Sequence, residues 1–125
     1  MTEAERVVRA FLDSWQDRNV EAIMAFFAPG AVYHNMPVAP CEGAAAIRTI
    51  FEAFVTAFDE AELRLINLAV AGDIVFTERV DYFSLGDRRV VLPVNGVFEV
   101  RDGLIHAFRD YFDLATFESQ SGLKL

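Results

Sequence analysis

The run Ile74-Val75-Phe76-Thr77-Glu78-Arg79-Val80-Asp81-Tyr82-Phe83 decides how this chain is read. It is rich in β-branched and aromatic residues and lies between the turn signals Gly72-Asp73 and Gly86-Asp87, so it reads as a β-strand. Successive strand side chains point to opposite faces, which puts Val75, Thr77, Arg79, Asp81 and Phe83 on one side. An arginine and an aspartate on a largely apolar face need a partner or a job, because burying an unpaired charge is costly.

On the C-terminal side the strand pattern continues. Arg89 to Val100 reads as a long strand, bent or bulged near Pro93 or Gly96, since proline removes a ladder donor and glycine weakens a strand interior. Asp102-Gly103 is a hairpin signal, Leu104 to Asp113 reads as the last strand, and Leu114 to Gln120 as a short final helix. On the N-terminal side, Leu63 to Ala71 alternates loosely, as a strand. Before it the period changes. Thr2 with Glu5 is a capping-box signature, and Val8, Phe11, Leu12 and Trp15 recur at helical spacing to about Gln16. Asn19 caps a second helix carrying Val20, Ile23, Met24 and Phe27, which Pro29-Gly30 ends. Ala31 to Met36 is a short strand with Tyr33 and Asn35 on one face, and Val32 and His34 on the other. An irregular segment through Pro37 and Pro40 leads to a third helix from about Ala44 to Phe58. Helices first and an antiparallel meander afterwards make this an α+β fold. Three to four helices pack on the concave side of a curved sheet, around a small-molecule pocket.

The composition narrows the function classes. At 125 residues the chain is one domain, able to bury roughly two-thirds of its unfolded surface. Hydrophobic residues make up 54%, with 12 phenylalanines, a surplus that a homodimer interface or an apolar pocket would absorb. A net charge of -8 argues against nucleic acid and anionic membranes as partners. No early stretch resembles a signal peptide, and no apolar run approaches the roughly 18 residues of a membrane span. The single cysteine, Cys41, cannot form an intramolecular disulfide, which fits a reducing, cytoplasmic setting. No His, Cys and carboxylate cluster has metal-ligand spacing and no glycine-rich phosphate loop occurs, so no metal, nucleotide or other cofactor is expected.

Asp110 is the most informative single residue. Strand alternation groups it with Leu104, His106, Phe108 and Phe112, and a carboxyl between phenylalanines is poorly solvated, which raises its pKa unless a cation compensates. Arg79 is the obvious cation, and it can bridge to Asp81 as well. Two ionised aspartates and one arginine leave a net negative charge in an apolar cavity, and one bound proton makes the cluster neutral. One carboxylic acid and one carboxylate held together are an acid and a base, the equipment for adding water across a polar bond. Tyr33 and Asn35, each able to donate and accept, can hold the water.

Three stretches carry a resemblance: Tyr33-x-Asn35-Met36-Pro37, Thr77-Glu78-Arg79-Val80-Asp81 and Arg109-Asp110-Tyr111-Phe112-Asp113, with Gly96-Val97-Phe98 beside them. They resemble the limonene-1,2-epoxide hydrolases, within the ketosteroid-isomerase-like (NTF2-like, SnoaL-like) superfamily, and the likeness runs through most of the chain. It implies an NTF2-like cone with a mixed or antiparallel sheet, and a homodimer acting on a small apolar epoxide and water. It also implies roles: Asp110 the general base, Asp81 the general acid, Arg79 the bridge between them, and Tyr33 and Asn35 the water holders. His34 carries no implied role, and Asn95, in a segment Leu92 to Asn95 expected to line the pocket, is unusually polar there. The rival readings are an isomerase or polyketide-cyclase-like enzyme and a non-catalytic binding dimer.

Overall fold

The computed structural model describes Met1–Leu125. The elements, in chain order, are α1 (Glu3–Ser14), a 3-10 turn (Trp15–Asp17), α2 (Val20–Met24), β1 (Phe27–Asn35), β2 (Cys41–Glu42), α3 (Ala44–Ala57), β3 (Glu60–Ala71), β4 (Ile74–Leu85), β5 (Arg88–Arg101), β6 (Leu104–Tyr111) and α4 (Leu114–Ser121). The strands form one open sheet in the order β2-β1-β6-β5-β4-β3. β3 to β6 make the expected antiparallel meander, and β6 returns beside β1 in parallel, so the sheet is mixed.

Capping side chains set the helix starts. The Thr2 hydroxyl accepts from the Glu5 amide at 3.1 Å, and the Asn19 carboxamide from the Ala22 amide at 3.1 Å. Asp113 does the same for α4, accepting from the Thr116 amide at 3.0 Å. The helices lie against one face of the sheet. Phe11 of α1, fully buried, meets the rings of Trp15, Phe26, Phe27, Phe98 and Phe108 edge-on at centroid distances of 5.3 to 6.5 Å. Phe98 and Phe108, cross-strand partners on β5 and β6, stack at 4.4 Å. A smaller cluster under α4 joins Phe117 to Phe58, Val90, Leu92 and Val94. The opposite sheet face has no helix on it and exposes Ile66, Phe76, Val91 and Tyr111. No helix is long and apolar enough to cross a membrane.

Four details differ from the sequence reading. Pro29-Gly30 does not end α2, which stops at Met24; both residues lie inside β1, exposed in the gap between its pairings at Phe27 and at Val32. No ladder bond is asked of either residue there. Cys41 sits in a short strand, β2, paired with Tyr33, rather than in a loop. The β4–β5 ladder runs unbroken from Ile74 opposite Glu99 to Leu85 opposite Arg88, so there is no bulge at Pro93 or Gly96. Val91, two residues from Pro93, sends its N–H away from β4 to Gln120 Oε1 at 2.7 Å. Pro93 therefore lacks a donor only on an edge that β4 does not pair. The extra residues sit instead at Ile66 in β3 and His106 in β6. The His106 bulge shifts the alternation, so Ile105, fully buried, faces the core in place of Leu104 and His106.

Candidate active site

The sheet register brings the five candidate side chains together. Cross-strand partners share a face, and one inward row reads Asn35 on β1, Asp110 on β6, Gly96 on β5 and Thr77 on β4. The adjacent row is Tyr33, Phe108, Phe98 and Val75. Arg79 and Asp81 continue the inward face of β4 beside Val94 and Leu92. Tyr33, Asn35, Arg79, Asp81 and Asp110 are between 1% and 9% exposed.

Arg79 is the hub. Its Nε and Nη2 donate to Asp81 Oδ1 and Oδ2, both at 3.0 Å, in a two-pronged pair. The same Nη2 donates to Asp110 Oδ2 at 3.0 Å, and Nη1 donates to Thr77 Oγ1 at 3.2 Å. Its guanidinium carbon lies 5.8 Å from the centre of the Phe108 ring. Asp110 Oδ1 is buried, and no protein group donates to it. The Tyr33 hydroxyl donates to Asn35 Oδ1 at 2.9 Å.

These surroundings set the acidities. Burial lifts the Asp110 carboxyl from 3.8 to about 6, with the Arg79 charge opposing the rise and the Asp81 charge adding to it. Burial opposes the Arg79 cation, but the charges of Asp110 and Asp81 outweigh it and hold that guanidinium above the ordinary arginine value. Burial, with Asp110 close by, pushes the Tyr33 phenol well above its usual range, so it stays neutral.

Two small adjoining cavities, of about 50 and 40 Å³, open at this cluster and share Tyr33, Phe54, Asp81, Phe83 and Asp110 as lining. Leu92 and Val94 line the first of them, whereas Asn95 points to the opposite, exposed face. The expected polar oddity in the pocket wall is thereby removed. His34 also stands outside, its Nε2 2.8 Å from the Val38 carbonyl oxygen. A roomier concavity of about 570 Å³ between Asp59, Tyr82 and Arg89 touches none of the five residues. Two site residues escaped the sequence reading. Thr77 was visible as the inward neighbour of Arg79, two positions before it, but Gly96 carries no side chain to read.

An open mixed sheet with helices on one face, closed around a polar cluster, defines the ketosteroid-isomerase-like (NTF2-like) class. A protein of that fold from Catenulispora acidiphila, solved with trimethylamine, matches at a TM-score of 0.82 and 22% identity, over 94% of this chain and 92% of its own. The family model described as the limonene-1,2-epoxide hydrolase catalytic domain matches residues 2–122. The chain belongs to the limonene-1,2-epoxide hydrolase family, a family of epoxide hydrolases. Epoxide hydrolase EphG of Mycobacterium tuberculosis is 34% identical over 107 residues, 86% of this chain and 71% of that protein. The structure of an M. tuberculosis LEH-like epoxide hydrolase matches with a TM-score of 0.85 at 33% identity, over 94% of this chain and 89% of the other.

Proposed function

We propose that this protein adds water across the ring of a small apolar epoxide in one acid–base step, giving a vicinal diol without a covalent intermediate. One observation carries the reading. Arg79 ties Asp81 and Asp110 together, yet leaves Asp110 Oδ1 buried with unused acceptor capacity, on the strand beside Tyr33 and Asn35.

Asp110 is the general base, and its value of about 6 suits a base working near neutrality. Tyr33 and Asn35 hold the water. Asp110 takes one proton from it as its oxygen attacks a ring carbon. The C–O bond breaks, and the ring oxygen takes a proton from Asp81. Before the step the proton of the pair is on Asp81; afterwards it is on Asp110. The pair holds one proton throughout, so its charge beside Arg79 does not change, and transfer back to Asp81 resets the site. The remaining lining, including Phe54, Phe58, Phe83, Leu92 and Val94, is predominantly apolar. Apolar walls favour an apolar substrate.

The test is diol formation from a panel of cyclic and open-chain epoxides, by wild type and by Asp110→Asn. Diol from the wild type alone is expected. No diol from any epoxide, or equal diol from both proteins, overturns the reading. An isomerase or cyclase assignment would rest on fold likeness alone, and fold does not imply function.

The chain works as one domain in this reading, and we infer that it pairs with a second copy. The helix-free sheet face, with Ile66, Phe76, Val91 and Tyr111 exposed, supports the pairing. Sedimentation showing only monomer at micromolar concentration would refute it. The lone, unpaired Cys41 supports a reducing, cytoplasmic setting.

A further inference from the structure

Arg79 stands on β4 and Asp110 on β6, with β5 between them. The guanidinium must cross β5 on its inward face to join them. That face is otherwise filled by Val90, Leu92, Val94, Phe98 and Val100, all buried. Only Gly96 leaves a gap. Its backbone does not require glycine, since it is not among the residues with positive φ. Space is what excludes a side chain. A methyl group placed there would lie 2.7 Å from Asp110 Oδ1 and 2.9 Å from Thr77 Oγ1, and would collide with Arg79 Nη1. Thr77, directly opposite Gly96, donates its hydroxyl to the Gly96 carbonyl at 3.2 Å and accepts from Arg79 Nη1 at 3.2 Å.

We propose that Gly96 and Thr77 are positioning residues that seat the Arg79 guanidinium. Gly96 is the gap through which it reaches Asp110, and Thr77 pins its far end in that gap. Neither residue touches the reacting atoms. Both act through Arg79, whose single hydrogen bond to Asp110 is the contact most exposed to any displacement. The inference rests on reading Arg79, Asp81 and Asp110 as the working cluster.

Gly96→Ala is the direct test. Arg79 Nη1 is the nearest of three side-chain atoms that must give way, and Asp110 Oδ1 and Thr77 Oγ1 must shift as well; none is backbone, so the variant is expected to fold while Arg79 withdraws from Asp110. The readout is a carbon-13 NMR titration of the aspartate carboxyl carbons, which needs no turnover. The other titratable groups facing Asp110, namely Tyr33 from β1 and Asp81 from β4, stay in place. Losing the cation should raise the Asp110 midpoint by about 1 pH unit. On an epoxide that the wild type hydrolyses, kcat should fall about a hundredfold with KM little changed, and the acid limb of the pH–rate profile should move up with the midpoint. Thr77→Val keeps the shape and removes the anchor, so a smaller shift in the same direction is expected, with Thr77→Ser restoring wild-type behaviour. An Asp110 midpoint in Gly96→Ala equal to that of the wild type overturns the proposal. Should Gly96→Ala not fold, Thr77→Val titrating as the wild type does overturns it instead. Failure of the hydrolase reading is distinct: it gives no diol from the wild type, while the carboxyl titration still reports the seat.

Discussion

Replacing Asp110 by asparagine is expected to make the protein more stable at neutral pH while removing its activity. Asp110 is 7% exposed, and its carboxyl titrates at about 6 in the fold against an ordinary 3.8. A carboxyl whose folded value lies above its unfolded value destabilises the fold once it ionises. The cost is absent below about pH 3.8, grows between there and about pH 6, and is complete above that. At roughly 1.4 kcal/mol per pH unit the rise corresponds to about 3 kcal/mol. Asparagine has nearly the same shape and, like the protonated acid, no charge. Asp110→Asn should therefore match the wild type near pH 4 and exceed it by up to about 3 kcal/mol at pH 8, which for a chain of this size is roughly 10 °C in Tm. Paired urea or thermal denaturation of both proteins across pH 4 to 8 measures the difference, and titrating groups away from the Arg79 cluster cancel in the comparison. The rate of epoxide hydrolysis should fall about 10²- to 10⁴-fold. A variant no more stable than wild type at pH 8, or a difference that does not change with pH, would refute the reasoning that a buried, ionised Asp110 is costly to the fold.

Arg79→Gln removes the only cation between two buried carboxyls and should cost about 3–5 kcal/mol by chemical denaturation, the reverse of the Asp110→Asn result. The kcat/KM profile should climb with pH through a midpoint near pH 6, because the base must be ionised; a flat profile from pH 4 to 8 would count against Asp110 as that base. Tyr33→Phe removes the donor to the buried Asn35 carboxamide at nearly constant volume, so kcat should drop roughly 10- to 100-fold with KM little changed, and stability should fall by about 1–3 kcal/mol, as steady-state kinetics and melting would show.

The local pattern along each strand made much of the site legible. Arg79 and Asp81 are two apart on one strand, as are Tyr33 and Asn35, so period-two alternation placed each pair on a common face before any pairing was known. Asp110 was legible for the same reason, with Phe108 two residues before it. What stayed hidden depends on partners distant in sequence. β1 runs through Pro29-Gly30 because β6 demands no ladder bonds there, and β2 is too short to have a period. The extra residue at His106 breaks the alternation on which the face of Leu104 was read, and only the β5–β6 register reveals it. Gly96 looked like a bend because a glycine in a strand carries no sign of what it makes room for. Its reason is a side chain from β4 reaching one on β6.

Direct addition of water is tested most directly by single turnover in ¹⁸O-water, with enzyme in excess over the epoxide. Label in the diol after the first turnover, with none in any aspartate, is the result expected if Asp110 acts as a base on water. Unlabelled diol in that turnover, with the label entering the carboxylate of Asp110 or Asp81, would mean that a carboxylate attacks the ring itself, and would contradict a one-step acid–base mechanism.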